Sequence, residues 1–265
     1  MDLGLSRRVA VVCGSSSGIG EAVARTLAAE GARVIVTGRR GRLIRRIAGE
    51  LPDAAGVEAD LLADGGPARL IEATAEIFGA PDILVLNGPG PRPDQAHRLA
   101  PTDISEAIRT AMLPHLELIS RALPIMRERK WGRIIAISST GTIIPIPNLA
   151  PSNIARNTLA SYLMTLAAEV AADGITVNQV APGRIHTARS ADLDTMLAEL
   201  TDRSVEEIRE AASQGIPVGR YGTPQEVADL TAFLCSTSAS YLTATTIACD
   251  GGAIGRQQLH IPKNP

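Results

Sequence analysis

Arg8-Val9-Ala10-Val11-Val12-Cys13-Gly14-Ser15-Ser16-Ser17-Gly18-Ile19-Gly20 is the stretch on which the reading of this chain turns. The apolar run is short and β-branched, as a buried strand would be, and the glycines after it mark a turn that opens directly onto a helical pattern. Glycine takes φ > 0 freely, and its missing Cβ lets backbone N–H groups approach an anion such as a pyrophosphate. The helix that follows contributes the positive end of its dipole. Many strand-to-helix turns use glycine, so the triplet alone is weak evidence. After the first strand of an alternating α/β chain it becomes a dinucleotide-binding signature.

That alternation continues outward from the turn. Arg8–Cys13, Arg33–Thr37, Val57–Asp60, Ile83–Leu86, Arg133–Ser138, Thr176–Ala181 and Thr245–Cys249 read as buried strands. Glu21–Glu30, Pro67–Phe78, Pro151–Ala172 and Pro224–Cys235 read as helices between them. Such an order predicts an α/β fold of the Rossmann type, a doubly wound parallel seven-stranded sheet with helices on both faces. No linker or low-complexity tract divides the chain, so residues 1–265 read as one domain. The rhythm breaks only between Thr187 and Pro217, where Ala191–Leu200 and Ser204–Ser213 read as two short amphipathic helices. They follow the sixth strand, at the carboxyl edge where α/β sheets bind ligands. A substrate lid over residues 187–217 is expected, with an extra packing element as the alternative.

The bulk composition excludes several functions. At 45% hydrophobic and 20% charged residues, 265 residues can bury a substantial core, which must be aliphatic because only 2% are aromatic. A formal charge of −2 offers no basic field for nucleic acid, and few aromatic rings are present for base stacking. Cys13, Cys235 and Cys249 show no metal-ligand spacing and read as reduced packing residues; no metal is expected. The amino-terminal residues lack the apolar core of a signal peptide, and no apolar run approaches a membrane span. A cytoplasmic protein with no membrane partner is expected.

With these motifs in order, the chain resembles the short-chain dehydrogenase/reductase family, whose turn usually reads Thr-Gly-x-x-x-Gly-x-Gly; here Cys13 replaces the threonine. The resemblance runs from Arg8 to Gly252 through Asp60-Leu61, Asn87-Gly88, Gly132-Arg133-Ile134-Ile135, Ile175-Thr176-Val177-Asn178, Pro182-Gly183 and Asp250-Gly251-Gly252. It implies that Gly14, Ser15, Ser16, Gly18, Ile19 and Gly20 cradle a dinucleotide. It further implies that Asp60 and Leu61 meet the adenine, Asn87 and Gly88 line its ribose, and Pro182, Gly183, Ile185 and Thr187 hold the nicotinamide amide. Strand two ends Thr37-Gly38-Arg39-Arg40, without the acid that would accept from a ribose 2′-hydroxyl. Arg39 can instead pair with a 2′-phosphate, helped by Ser15 and Ser16, so NADP(H) is expected over NAD(H). The alternative leaves Arg39 and Arg40 on a solvated helix start.

The family's Asn, Ser, Tyr, Lys tetrad falls by position on Ala111, Ser139, Ser152 and Arg156, so only the serine is kept. No displaced pair replaces it, because the residues four beyond Tyr162, Tyr221 and Tyr241 are Leu166, Gln225 and Thr245. Ser152 and Arg156 keep the i, i+4 spacing that shares one helix face. Arg156 can hydrogen-bond a ribose diol, steady an oxyanion or receive a substrate carboxylate, but cannot give up its proton at workable pH. Ser152 can equally be a simple capping or packing residue. His115, one helical turn past Ala111, and His186, in the loop expected to cover the nicotinamide, are candidate general acids beside water. The stiff loop Pro89-Gly90-Pro91-Arg92-Pro93 would shape the mouth of the site.

Three functions compete. The first is NADP(H)-dependent interconversion of a carbonyl and an alcohol on a small molecule, 3-oxoacyl reductase-like, with a non-standard proton donor. The second is a non-redox lyase, isomerase or cyclase that uses Ser139 and Arg156 on an oxyanion. The third is a dinucleotide-binding regulator without catalysis. The resemblance also implies a homodimer or homotetramer, built through Leu113–Arg127 and Ser161–Val170, with Gln257–Pro265 able to reach a neighbouring subunit.

Overall fold

Seven parallel strands form one sheet in the order β3-β2-β1-β4-β5-β6-β7. This is a computed structural model, and it describes residues 2–259. In chain order the elements are β1 (Val9–Val12), α1 (Gly18–Ala29), β2 (Arg33–Gly38), α2 (Gly41–Gly49), β3 (Ala54–Glu58), α3 (Gly66–Phe78) and β4 (Ile83–Leu86). Then come α4 (Pro101–Ala111), α5 (Leu113–Glu128), β5 (Gly132–Ile137), α6 (Ala150–Val170) and β6 (Ile175–Pro182). The chain continues through α7 (Ala188–Thr201), α8 (Val205–Gln214), α9 (Pro224–Cys235), β7 (Thr246–Cys249) and α10 (Ala253–Gln258). The fold is the expected doubly wound α/β domain.

Side-chain alternation along the strands builds the two layers of core. Ala10 and Val12 of β1 join Ile83 and Val85 of β4 and Ile135 of β5 under α1, α2 and α9. Val11, Leu84 and Ile134 point the other way, against Leu118 of α5 and Leu159 of α6. β1 and β4, buried on both faces, are apolar throughout, which is why these runs were legible. Each fully buried Val, Leu or Ile contributes about 1.5–3 kcal/mol. Among the described residues no helix is long and apolar enough to cross a membrane. Nor do three His, Cys, Asp or Glu side chains there gather as a metal site would require.

Most element boundaries shift by a few residues from the sequence reading, and two of these shifts have a clear local cause. β3 begins at Ala54, not Val57, because Ala54, Ala55 and Gly56 pair in register with Val34, Ile35 and Val36 of β2. Small residues carry no strand signal of their own, so the neighbouring strand recruits them. α7 begins at Ala188 because Thr187 and Ser190 form a reciprocal cap, the Ser190 N–H donating to Thr187 Oγ1 and the Thr187 N–H to Ser190 Oγ. The cysteines are free, with Cys13 and Cys235 buried. Burial pushes both thiols up to about 12, which leaves them inert packing groups.

The sheet order reverses between β1 and β4, so the crevice at their carboxyl ends is the topological switch point. The glycine turn and the α7–α8 insertion both come to that edge. The last residues of the tail expected to reach a neighbouring subunit, 260–265, lie outside the described residues.

Candidate active site

The turn from β1 to α1 is tight. Gly14 has φ +60° and Gly18 φ +59°, which L side chains rarely adopt. A Cβ at Gly20 would overlap the Gly14 carbonyl and lie 2.8 Å from Asn87 Nδ2, so α1 starts flush against the strand ends. Asn87 Nδ2 donates to the carbonyls of Cys13 (3.1 Å) and Gly14 (3.4 Å) and bolts the turn to β4. The first N–H groups of α1 have no intrahelical acceptor and stay free for an anion.

A cleft of about 390 Å³ opens above this turn. Gly14, Ser16, Gly18, Ile19 and Gly20 line one wall, and Asp60, Leu61, Asn87 and Gly88 line the other. Ser15 does not take part. It is fully buried, with its hydroxyl donating to the Val12 carbonyl (2.6 Å) and accepting from the Thr37 N–H (2.8 Å). Its own N–H donates to the Thr37 carbonyl (3.0 Å), so the expected phosphate donor is spent latching β1 to β2. Arg39 and Arg40 both line the rim, but Arg40 is the organised one. Its Nη2 donates to Ser16 Oγ and Ser17 Oγ at 2.6 Å each, while Nε donates to Ser16 Oγ at 3.0 Å. Arg39, the rim cation read from the sequence, does line the cleft, and Arg40 joins it because the chain turns at Arg40, the N-cap of α2, which aims that side chain back across the turn. The nearby Glu58 is engaged by Arg45 (3.4 Å).

Of the four residues expected around the nicotinamide amide, only Thr187 lines the cleft. The Gly183 N–H is spent on the Cys249 carbonyl (3.0 Å), and Pro182 and Ile185 are buried. Ile185 can contribute its backbone but not its side chain. These residues, with Gly18 and Arg40, suit a dinucleotide: the cradle lacks the Cβ atoms that would fill it, and its rim is cationic.

Deeper in the crevice, α6 brings Ser152 and Arg156 one turn apart, as the spacing predicts. Arg156 Nε donates to Ser152 Oγ (3.3 Å), and Nη1 donates to the carbonyls of Ile137 and Ser138 (3.1 Å each) at the end of β5. Burial first, and the neighbouring Arg189 second, lower the guanidinium to about 10, so it stays cationic at neutral pH. Ser139 caps the short turn Thr140–Thr142 by accepting from the Gly141 N–H (3.1 Å). Its own hydroxyl proton meets no acceptor among the described residues and is free for a substrate oxygen. Ser139, Ser152 and Arg156 do not line the nucleotide cleft itself; Arg189, which does, reaches over Gly90 toward Arg156.

Two asparagines that the sequence reading passed over hold this corner. Asn153 Nδ2 donates to the Ile146 carbonyl (2.9 Å), and Asn157 Nδ2 donates to the Gly141 carbonyl (3.2 Å). Their i, i+4 spacing beside Ser152 and Arg156 was the signal. The proline-rich loop is tied down as well, the Ala150 N–H donating to the Asp94 carbonyl (3.1 Å).

The histidines separate. The helix expected to run from Ala111 to His115 breaks at Met112, where α4 gives way to α5 with Pro114 in its first turn. His115 still lines the cleft, buried, with Nδ1 lacking a hydrogen-bond partner. Desolvation, then Arg156, lowers the ring to about 4, against the opposing pull of the Ala111 and Asn87 carbonyls. A ring neutral at pH 7 cannot be the cationic acid considered for it. The unfolded histidine titrates near 6.5, so the unfolded chain binds the extra proton between about 4 and 6.5. Stability is expected to fall as pH drops through that window, by roughly 3 kcal/mol for this group. His115→Gln should flatten that part of the slope in urea midpoints taken at pH 4.5 and 7; an unchanged slope would refute the assignment.

His186 is exposed, its ring 5.1 Å from that of Tyr221, and lines a separate cavity of about 380 Å³ with Asp194 and Arg209. It does not join Ser139 and Arg156. Buried Asp194 of α7 accepts from Arg184 Nη1 (2.9 Å), Tyr221 OH (3.0 Å) and Arg209 Nε (3.4 Å), tying the two inserted helices to the loop after β6.

The comparisons with known proteins agree with this architecture. Residues 14–253 match the family model described as enoyl-(acyl carrier protein) reductase. The chain is 33% identical over 257 residues to the 3-oxoacyl-(acyl-carrier-protein) reductase FabG of Aquifex aeolicus (strain VF5), covering 95% of this chain and 99% of that one. It superposes on L-sorbose reductase from Gluconobacter frateurii, solved with NADPH and L-sorbose, with a TM-score of 0.90 at 29% identity, over 96% of this chain and 99% of the other. YwfH, an NADPH-dependent reductase involved in bacilysin biosynthesis, superposes with a TM-score of 0.87 at 28% identity, over 94% and 98%. The family-model match over residues 14–253 and the 33% identity to a reductase over almost its whole length place the chain in the short-chain dehydrogenase/reductase family of oxidoreductases.

Proposed function

We propose that the protein is an NADP(H)-dependent oxidoreductase of carbonyl/alcohol pairs on small molecules, 3-oxoacyl reductase-like, and an atypical family member without the Tyr-x-x-x-Lys pair. The observation that carries this reading is the cationic rim of the cleft, with Arg40 held on Ser16 and Ser17 beside Arg39. A 2′-phosphate suits that rim, whereas an NAD ribose would want a carboxylate there. The NADPH named for both structural relatives supports the same choice. The cofactor would supply hydride chemistry. Ser139 donates its free hydroxyl proton to the substrate oxygen, and the fixed charge of Arg156 stabilises negative charge there. Neither gives up a proton for good at neutral pH, so the proton comes from water. The α7–α8 insertion, fastened through Asp194, covers the substrate as a lid. Titrating the purified protein with NADPH and NADH by nicotinamide fluorescence tests the reading. Tight NADPH and weak NADH binding supports it, and binding of neither nucleotide would sink it.

Assembly belongs to the same reading. Leu113 at the start of α5 is 46% exposed and Met164 on α6 is 55% exposed. We expect these faces to be covered in a homodimer or homotetramer. Light scattering behind size exclusion should give a multiple of 27.7 kDa. A monomer at micromolar concentration would refute it.

A further inference from the structure

Two guanidinium groups converge over one glycine. A methyl group built on Gly90 would lie 3.1 Å from Arg189 Nη2 and 3.4 Å from Arg156 Nη2. Arg156 comes from α6 and Arg189 from the first turn of α7, so the sheet edge and the insertion each send one cation to the same point. Other arginines at the ends of this fold are neutralised, Arg184 and Arg209 by Asp194 and Arg127 by Asp173. Neither Arg156 nor Arg189 has a carboxylate partner among the described residues. Arg156 spends Nε on Ser152 and Nη1 on two carbonyls, which leaves its Nη2 edge for a ligand. Their mutual repulsion is felt at Arg156, whose guanidinium is lowered by burial and then by Arg189. Like charges held at one point without a counter-ion call for an anion between them.

We propose that Arg156 and Arg189 form a clamp for a carboxylate on the substrate, making short-chain oxo acids or hydroxy acids the substrate class. This deepens the proposed function and rests on it for the reaction but not for binding. The planar carboxylate offers one oxygen to each guanidinium, so both cations are met by charge-assisted hydrogen bonds. The point of convergence lies on the chemical side of the crevice: the Arg156 guanidinium that reaches it also holds the carbonyl of Ser138, next to Ser139. The carboxylate therefore sits within a few bonds of the oxygen that Ser139 meets. An acyl thioester or a neutral sugar has no such group to place there. Arg156 contributes the fixed half of the clamp, and Arg189 closes it from the insertion.

The test uses three oxo acids, pyruvate, acetoacetate and levulinate, each against its methyl ester. Binding is measured calorimetrically on the full chain with saturating NADP+, which has no hydride to give to an oxo acid, and again without nucleotide. At least one acid should bind ten or more times tighter than its ester. Arg189→Gln should abolish that preference, and Arg189→Lys should restore part of it. Equal binding of acid and ester in all three pairs overturns the clamp. A loss of NADPH affinity in Arg189→Gln with the acid preference intact also overturns it, because Arg189 would then serve the cofactor. If wild-type protein binds no NADPH but still prefers the acids, the redox reading fails and the clamp stands.

Discussion

Replacing Arg39 and Arg40 together by alanine is expected to weaken NADPH binding 10- to 100-fold and leave NADH binding within about twofold. A charge-assisted hydrogen bond contributes about 1.5–3 kcal/mol, and each 1.4 kcal/mol is about a factor of ten in affinity. Both arginines are exposed, and Ser16, the buried partner that Arg40 would release, lines the open cleft, so the melting temperature should hardly move. The single variants divide the effect. Arg40→Ala should carry most of it, because Arg40 already sits on Ser16 and Ser17 at 2.6 Å. Arg40→Asp should go further and bring NADH level with NADPH or ahead of it, since a carboxylate repels the phosphate and accepts from a ribose hydroxyl. An undiminished NADPH preference in the double variant would mean that the cleft takes its nucleotide in another way.

Arg156→Met is expected to lower turnover by about 10²- to 10³-fold, the usual loss when a donor to a developing oxyanion is removed. Stability should fall with it. The carbonyls of Ile137 and Ser138 would lose their shared partner, at about 1–3 kcal/mol for each group left buried and unpaired. Arg156→Lys keeps the charge but not the fork, and should recover stability better than turnover. Ser152→Ala should cost much less than either, because Ser152 only accepts from Arg156 (3.3 Å). With Arg156 lowered only to about 10 and His115 to about 4, the turnover of the wild type should be level from about pH 6 to 9. A kinetic pKa near 7 would point to a proton donor other than water. A turnover unchanged in Arg156→Met would remove the residue from the chemistry.

Much of this molecule was legible in the chain because its signals are local and periodic. β1 and β4 are buried on both faces, and each is an unbroken apolar run. The turn at Gly14–Gly20 had to be glycine because no Cβ fits between it and Asn87. The Ser152–Arg156 contact followed from helical spacing alone. Tertiary structure decided whatever depended on partners distant in sequence. Ser15 and Ser16 are neighbours of like chemistry, yet Thr37 takes one into the sheet and Arg40 takes the other to the rim. Which of two adjacent arginines holds Ser16 and Ser17 was decided by the backbone at the start of α2, and the neutrality of His115 by burial that no motif encodes. The meeting of Arg156 and Arg189 over Gly90 was invisible in one dimension, because it joins three segments through the twist of the sheet and the placement of α7. Spacing fixes which residues share an element; only packing brings charges from separate elements to one point.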